Sequence, residues 1–230
     1  MITNSELPRD FLEKLESLEV AYLAAEDDPI RQSGFSGGPR RWRAERKPIL
    51  GAIEINGDIL DVGCANGFLL ECLIEWAGER GITLIPYGLD QGAQLIELAK
   101  KRFPSYRSDF YVGNAWDWEP PRQYRYVYTL YDCVPLEFLE EYVYRVLVRM
   151  VGARGRLIVG AYGSRSQGTP PFDIKGFLES RGFSVAGTAE GGKPPVTSFA
   201  WIDRMNRTTT SFIKHRKSLN NKEFKEECAL

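Results

Sequence analysis

Ile59-Leu60-Asp61-Val62-Gly63-Cys64-Ala65-Asn66-Gly67-Phe68-Leu69-Leu70 is the stretch whose reading decides the fold. An apolar run ends in an acid, passes two glycines four residues apart, and resumes with helical spacing. The order is strand, turn, helix. Glycine lets backbone approach a bound group where a side chain would block it. The N–H groups opening the next helix then face that group, with the positive end of the helix dipole behind them.

Toward the C-terminus, short apolar runs alternate with helical patterns. Strands are expected at about 58–62, 82–89, 108–112, 125–131, 155–161, 183–188 and 197–203, and helices at about 66–79, 92–103, 135–151 and 171–181. Strands separated by helices of this length make βαβ crossovers. The expected fold is therefore α/β, a doubly wound, mainly parallel seven-stranded sheet with helices on both faces, spanning residues 56–205. Only Ala189 to Pro195 joins the last two strands, and a hairpin there makes the last strand antiparallel.

Toward the N-terminus, Phe11, Leu12, Leu15, Leu18, Tyr22 and Leu23 predict an amphipathic helix from about Pro8 to Ala25. Residues 27–39 read as a loop, and a second helix is expected from Trp42 to about Ile55, with Pro48 a kink or break. Residues 1–55 form a helical extension long enough to fold over the strand ends as a lid. Residues 206–230 read as a charged tail, expected to be partly disordered.

Thirty Lys and Arg against 31 Asp and Glu give no global case for nucleic acid or an acidic membrane surface. Only the basic stretches 40–47 and 214–217 supply one locally. Cys64, Cys72, Cys133 and Cys228 form no C-x-x-C pair, and the single histidine is His215, so no metal site is expected. Scattered thiols and the lack of a signal-like or membrane-length apolar run suggest a cytoplasmic protein.

In a doubly wound sheet, ligands bind outside the C-terminal strand ends. Strand one brings Asp61, Gly63 and Gly67 there. Strand two brings Asp90 and Gln91, roughly twenty residues past the glycine turn, where an acid either caps the next helix or accepts from a ribose diol. Strand four brings Tyr131 and Asp132, and strand five Tyr162. A dinucleotide fingerprint is broken by Ala65 and Phe68, and no P-loop G-K-S/T occurs.

The opening stretch resembles motif I, D-x-G-x-x-x-G, of class I S-adenosylmethionine (SAM) dependent methyltransferases. Asp90, the Gly113-Asn114-Ala115-Trp116 stretch, Arg149 to Gly160 and Ser180 to Val185 follow in that family's order, so the resemblance covers about residues 56–203. It implies SAM as cofactor and S-adenosylhomocysteine (SAH) as product. It places Asp61, Gly63, Cys64, Ala65, Gly67, Asp90, Gln91, Asn114, Ala115, Trp116 and Tyr131 around the cofactor, with Asn114 and Trp116 at the adenine. Tyr131 and Asp132 are then the candidate catalytic residues. The N/D-P-P-Y/F loop of nucleobase-amine enzymes is absent, since the chain reads Tyr131-Asp132-Cys133-Val134-Pro135. The implied activity is methyl transfer to a small-molecule acceptor by in-line displacement. A SAM- or nucleotide-binding protein without turnover, or an RNA methyltransferase, is the alternative. Arg40, Arg41 and Trp42, in a segment with four arginines between residues 31 and 43, together with Tyr162, are the candidate substrate residues.

Overall fold

Pro8 has no backbone N–H to leave unpaired, and helix α1 (Arg9–Leu23) begins directly after it in a computed structural model that describes residues 6–205. Pro39 likewise opens α2 (Pro39–Arg46). That helix starts three residues earlier than the apolar pattern predicted, and it stops before Pro48, which cannot donate to a preceding turn. Lys47–Ala52 continue as a 3-10 helix rather than as the expected α-helix to Ile55.

Seven strands follow: β1 (Gly57–Val62), β2 (Leu84–Asp90), β3 (Phe110–Val112), β4 (Tyr124–Leu130), β5 (Val151–Tyr162), β6 (Gly187–Gly191) and β7 (Thr197–Asp203). Between them lie α3 (Phe68–Gly78), α4 (Ala93–Arg102), α5 (Leu139–Arg149) and α6 (Ile174–Ser180). The sheet order is β3-β2-β1-β4-β5-β7-β6. The pairs from β3 through β5 are parallel, and β7 is antiparallel to both β5 and β6. The doubly wound sheet with an antiparallel last strand is as the sequence pattern implied.

Strand alternation sorts the two cores. Ile59 faces one layer with Leu70, Leu73 and Ile96 of α3 and α4 and Ile49 and Ile53 of the N-terminal segment. Leu60 and Val62 face the other, with Tyr142, Val143 and Val146 of α5 and Leu178 of α6. The chain leaves β1 toward β2 on one side and returns as β4 on the other. That reversal opens a crevice above β1 and β4.

Two strands differ from expectation. β5 begins at Val151 because its pairing with β4 jumps from Tyr124↔Val151 to Tyr126↔Arg156, and Gly152–Gly155 bulge out between them. β6 covers Gly187–Gly191, not 183–188. Phe183 is buried among α6 and β7 side chains instead, and Gly187 lies under the Trp201 indole, where any Cβ would overlap the ring. Among the described residues no helix is long and apolar enough to cross a membrane. The expectation for residues 206–230 lies outside the described residues.

Candidate functional site

The turn after β1 is held by its backbone. The N–H groups of Gly63 and Cys64 both donate to Leu89 O, at 2.8 and 3.0 Å, and Gly67 N donates to Cys64 O at 2.9 Å. Gly63, Ala65 and Gly67 all take positive φ, at 87°, 46° and 73°. For Ala65 that conformation costs about 1–2 kcal/mol. A Cβ on Gly67 would press on Ala99 of α4 at 3.1 Å, so glycine also sets the approach of α3 to α4.

Three acids converge on this turn. Asp61 is 1% exposed and its Oδ1 has no hydrogen-bond partner. Burial, with the nearby Asp90 charge, pushes its carboxyl up to about 8. Asp90 accepts Ala65 N–H through Oδ2 and Gly92 N–H through Oδ1, both at 2.8 Å. Burial raises its carboxyl too, against the lowering effect of those bonds. Asp132 sits in the 3-10 turn Tyr131–Cys133 that ends β4. Its carboxyl is raised by the loss of water around it, a shift that Lys14 of α1 partly offsets.

A buried cation completes the constellation. Register places Asp61 beside Tyr128 of β4. The Tyr128 hydroxyl meets that of Tyr162 at 2.5 Å. The Arg46 guanidinium lies 3.7 Å from the Tyr162 ring centroid, and 4.8 and 5.1 Å from those of Phe35 and Trp42. Arg46 is 5% exposed, makes no ion pair among the described residues, and its Nη1 has no hydrogen-bond partner. Cation–π contacts contribute about 0.5–2 kcal/mol. Burying an uncompensated charge costs several kcal/mol. The aromatic box therefore does not offset the burial, and an anion beside Nη1 would.

The N-terminal segment bonds to the glycine turn and to the start of α4. Asn66 Nδ2 donates to Pro29 O and Gln32 Oε1, at 3.0 and 3.2 Å, tying the loop before α2 to the glycine turn. Glu19 of α1 accepts Gln94 N–H at 2.9 Å, at the start of α4. Burial raises the Tyr22 phenol, and the charges of Asp132 and Asp90 add to that shift.

No protein-family model matches the chain, and no curated protein does. Solved structures do. A putative methyltransferase in complex with the Haloferax volcanii Trm112 methyltransferase activator superposes with a TM-score of 0.60 at 13% identity, over 84% of this chain and 99% of that one. The DhpI–SAH complex gives 0.57 at 17% identity, over 86% and 98%. Magnesium protoporphyrin IX methyltransferase from Synechocystis PCC 6803, with bound SAM, gives 0.56 at 16%, over 88% and 100%.

The chain has the class I SAM-dependent methyltransferase fold.

Within that fold the sequence-predicted residues separate into groups. Asp61, Gly63, Cys64, Ala65, Gly67 and Asp90 gather at the tips of β1 and β2. Gln91 and Asn114 meet at the neighbouring tips, where Asn114 Nδ2 donates to Gln91 Oε1 at 3.3 Å and Asn114 Oδ1 accepts Trp116 N–H at 2.8 Å. Ala115 is half-buried beside them. Trp116 turns into the core: it is 5% exposed, with Arg145 4.0 Å from its ring centroid and Phe138 against its edge. Tyr131 stacks on Phe172 with centroids 4.9 Å apart and planes 7° from parallel.

The candidate substrate residues do not come together. Trp42 is buried and donates Nε1–H to Cys72 Sγ at 3.3 Å. Arg41 pairs with Glu45 at 3.2 Å, and Arg40 is exposed. Arg43 and Lys47 both pair with Glu79, so the basic stretch 40–47 is partly neutralised. Tyr162 reaches the crevice. Burial raises its phenol, which Arg46 partly counters, so it is protonated at neutral pH. Arg46, Tyr128, Glu19 and Tyr22 belong to the site and were not singled out for it from sequence. For Arg46 the only signal was helix phase: it lies one helical turn past the apolar Trp42 and shares its face.

Proposed function

We propose that this protein is a SAM-dependent methyltransferase that transfers a methyl group to a small-molecule acceptor by direct in-line displacement. The observation that carries the reading is a pair of buried polar atoms without hydrogen-bond partners, Nη1 of Arg46 and Oδ1 of Asp61. The amino-acid end of SAM bears one carboxylate and one ammonium, which match the two. Asp90 takes the ribose diol; a carboxylate has about four acceptor sites, so its two backbone bonds leave room. Asn114 keeps one amide hydrogen and one oxygen lone pair for the adenine edge.

When bound, SAM supplies a methyl carbon made electrophilic by its sulfonium. The chain's part is to orient that methyl toward Tyr131 and Asp132 and to exclude water. Orientation of this kind accounts for about 7–11 kcal/mol in the best cases. Residues 6–55 act as the lid, through Glu19, Tyr22 and the Asn66 bonds.

Calorimetric titration tests the reading with two probes. SAH carries the amino-acid end, and 5′-methylthioadenosine lacks it. Arg46→Met is expected to weaken SAH by roughly 10–100-fold, as for a lost charged hydrogen bond of about 1.5–3 kcal/mol, and to leave 5′-methylthioadenosine unchanged. Wild-type protein that binds neither nucleoside overturns the reading. Turnover is checked by incubating with SAM and a metabolite mixture and detecting SAH together with a product heavier by one methyl.

A further inference from the structure

The charges left over once a cofactor is in place identify the acceptor. Acceptor recognition by Arg40 and Arg41 is not what the fold offers: one is exposed and the other is tied to Glu45. The tip of β4 presents an acid instead. Asp132 makes no ion pair among the described residues and is exposed at the end of β4. Its charge is felt by Tyr22 above it, by Tyr131 and Cys133 beside it, and by Tyr162 across from it. Tyr131, next to Asp132 in the chain, is half-buried and stacks on Phe172.

Three acids, Asp61, Asp90 and Asp132, and one arginine, Arg46, face this crevice. On α1, Glu19 lies near Asp90 and Lys14 near Asp132. SAM carries one net positive charge, and it uses Arg46 and Asp61 at its amino-acid end. With Asp61 at that end and Asp90 at the ribose, Asp132 is the acid left over at the reactive edge.

We propose that the acceptor is a small primary or secondary amine, held as its ammonium by Asp132 beside the Tyr131–Phe172 pair. The inference rests on the methyltransferase reading above. An ammonium gains from both partners, the carboxylate as an ion pair and the aromatic face through its quadrupole. It must also lose a proton before its nitrogen can attack: an N–H bond breaks, the electron pair stays on nitrogen, and the proton passes to an Asp132 oxygen. The raised carboxyl of Asp132 holds that proton better than an ordinary aspartate.

The test uses the full chain saturated with SAH and calorimetry with probes that share a ring and differ in charge: 2-phenylethylamine, benzylamine, 2-phenylethanol and phenylacetate. At least one amine is expected to bind tenfold or more tighter than the alcohol, with phenylacetate weakest. Asp132→Asn is expected to erase the amine's advantage and Asp132→Glu to restore part of it, which a change confined to packing would not do. Phenylacetate binding as well as the amines, amine preference surviving in Asp132→Asn, or no amine binding below millimolar concentration each overturn the proposal. SAH binding is measured first in every variant. Its absence in the wild type sinks the cofactor reading and this inference with it, whereas its presence beside a failed amine series sinks the inference alone.

Discussion

Asp61 shows how one side chain can oppose stability and serve binding. Its carboxyl titrates near 4 in an unfolded chain and is pushed up to about 8 in the fold. The native state therefore holds this proton more tightly than the unfolded state. By linkage, the contribution of this group to stability falls as pH rises from about 4 to about 8 and is flat above that. Asp61→Asn removes the slope. Urea unfolding at pH 5 and pH 9 is expected to find the variant more stable than wild type at pH 9, with the difference much reduced at pH 5. SAH binding changes in the opposite sense. The cofactor's ammonium favours the ionised carboxyl, so below about pH 8 binding releases a proton, and affinity rises with pH until it levels. Asn removes both the proton release and most of the gain, which calorimetry in two buffers of different ionisation enthalpy reads directly. Asp61, Gly63, Gly67 and Asp90 were legible because strand tips and positive-φ turns leave a fixed spacing in sequence. Arg46 was not, because in Arg40-Arg41-Trp42-Arg43-Ala44-Glu45-Arg46 only the phase of the helix separates a buried arginine from three that face solvent or a surface partner.

At the scale of elements, the lid and the sheet were legible to different degrees. Strands β1, β2 and β4 each carry a short, mostly buried apolar or aromatic run, and their positions were clear. β6 was misplaced by about four residues because Phe183 and Val185 look like strand residues yet plug the core after α6. The boundaries of α2 followed from two prolines and not from apolar spacing. The contact of α1 with the crevice has no local sequence signature, since it depends on a polar side chain, Glu19, reaching the start of α4. That bond places an anion at a helix N-terminus, an arrangement that contributes about 0.3–1 kcal/mol. Glu19→Gln is expected to loosen α1 by about that amount, so that protease cleavage between residues 9 and 38 speeds up by a few-fold in the free protein. SAH is expected to slow cleavage in both forms by drawing the lid shut. Equal cleavage with and without SAH would remove the lid from the account.

At the scale of the molecule, the far edge of the sheet braces the helix that carries the buried Arg46. Thr197 Oγ1 of β7 donates to Glu45 O at 2.9 Å, and Arg165, in the loop after β5, pairs with Glu45 at 3.0 Å. Glu45 is 3% exposed and directly precedes Arg46. The antiparallel β6–β7 hairpin is thus a seat for α2, remote from the β1 turn but fixing the Arg46 guanidinium above Tyr162. Gly191 backs directly onto the helix: a Cβ there would stand 2.9 Å from both the Cα and the O of Glu45. Backbone on both sides leaves little room to yield. Gly191→Ala is expected to lower stability by about 1–3 kcal/mol, the usual cost of overpacking. It should also weaken SAH binding, because α2 is displaced with Arg46 on it. Gly78, near the end of α3, has nothing within 4 Å of its would-be Cβ. There alanine should be neutral or stabilise by up to about 1 kcal/mol and leave SAH binding alone. Calorimetry at a temperature where both variants remain folded separates the two effects. If Gly191→Ala loses stability and keeps wild-type affinity for SAH, the hairpin holds up the fold without positioning the arginine.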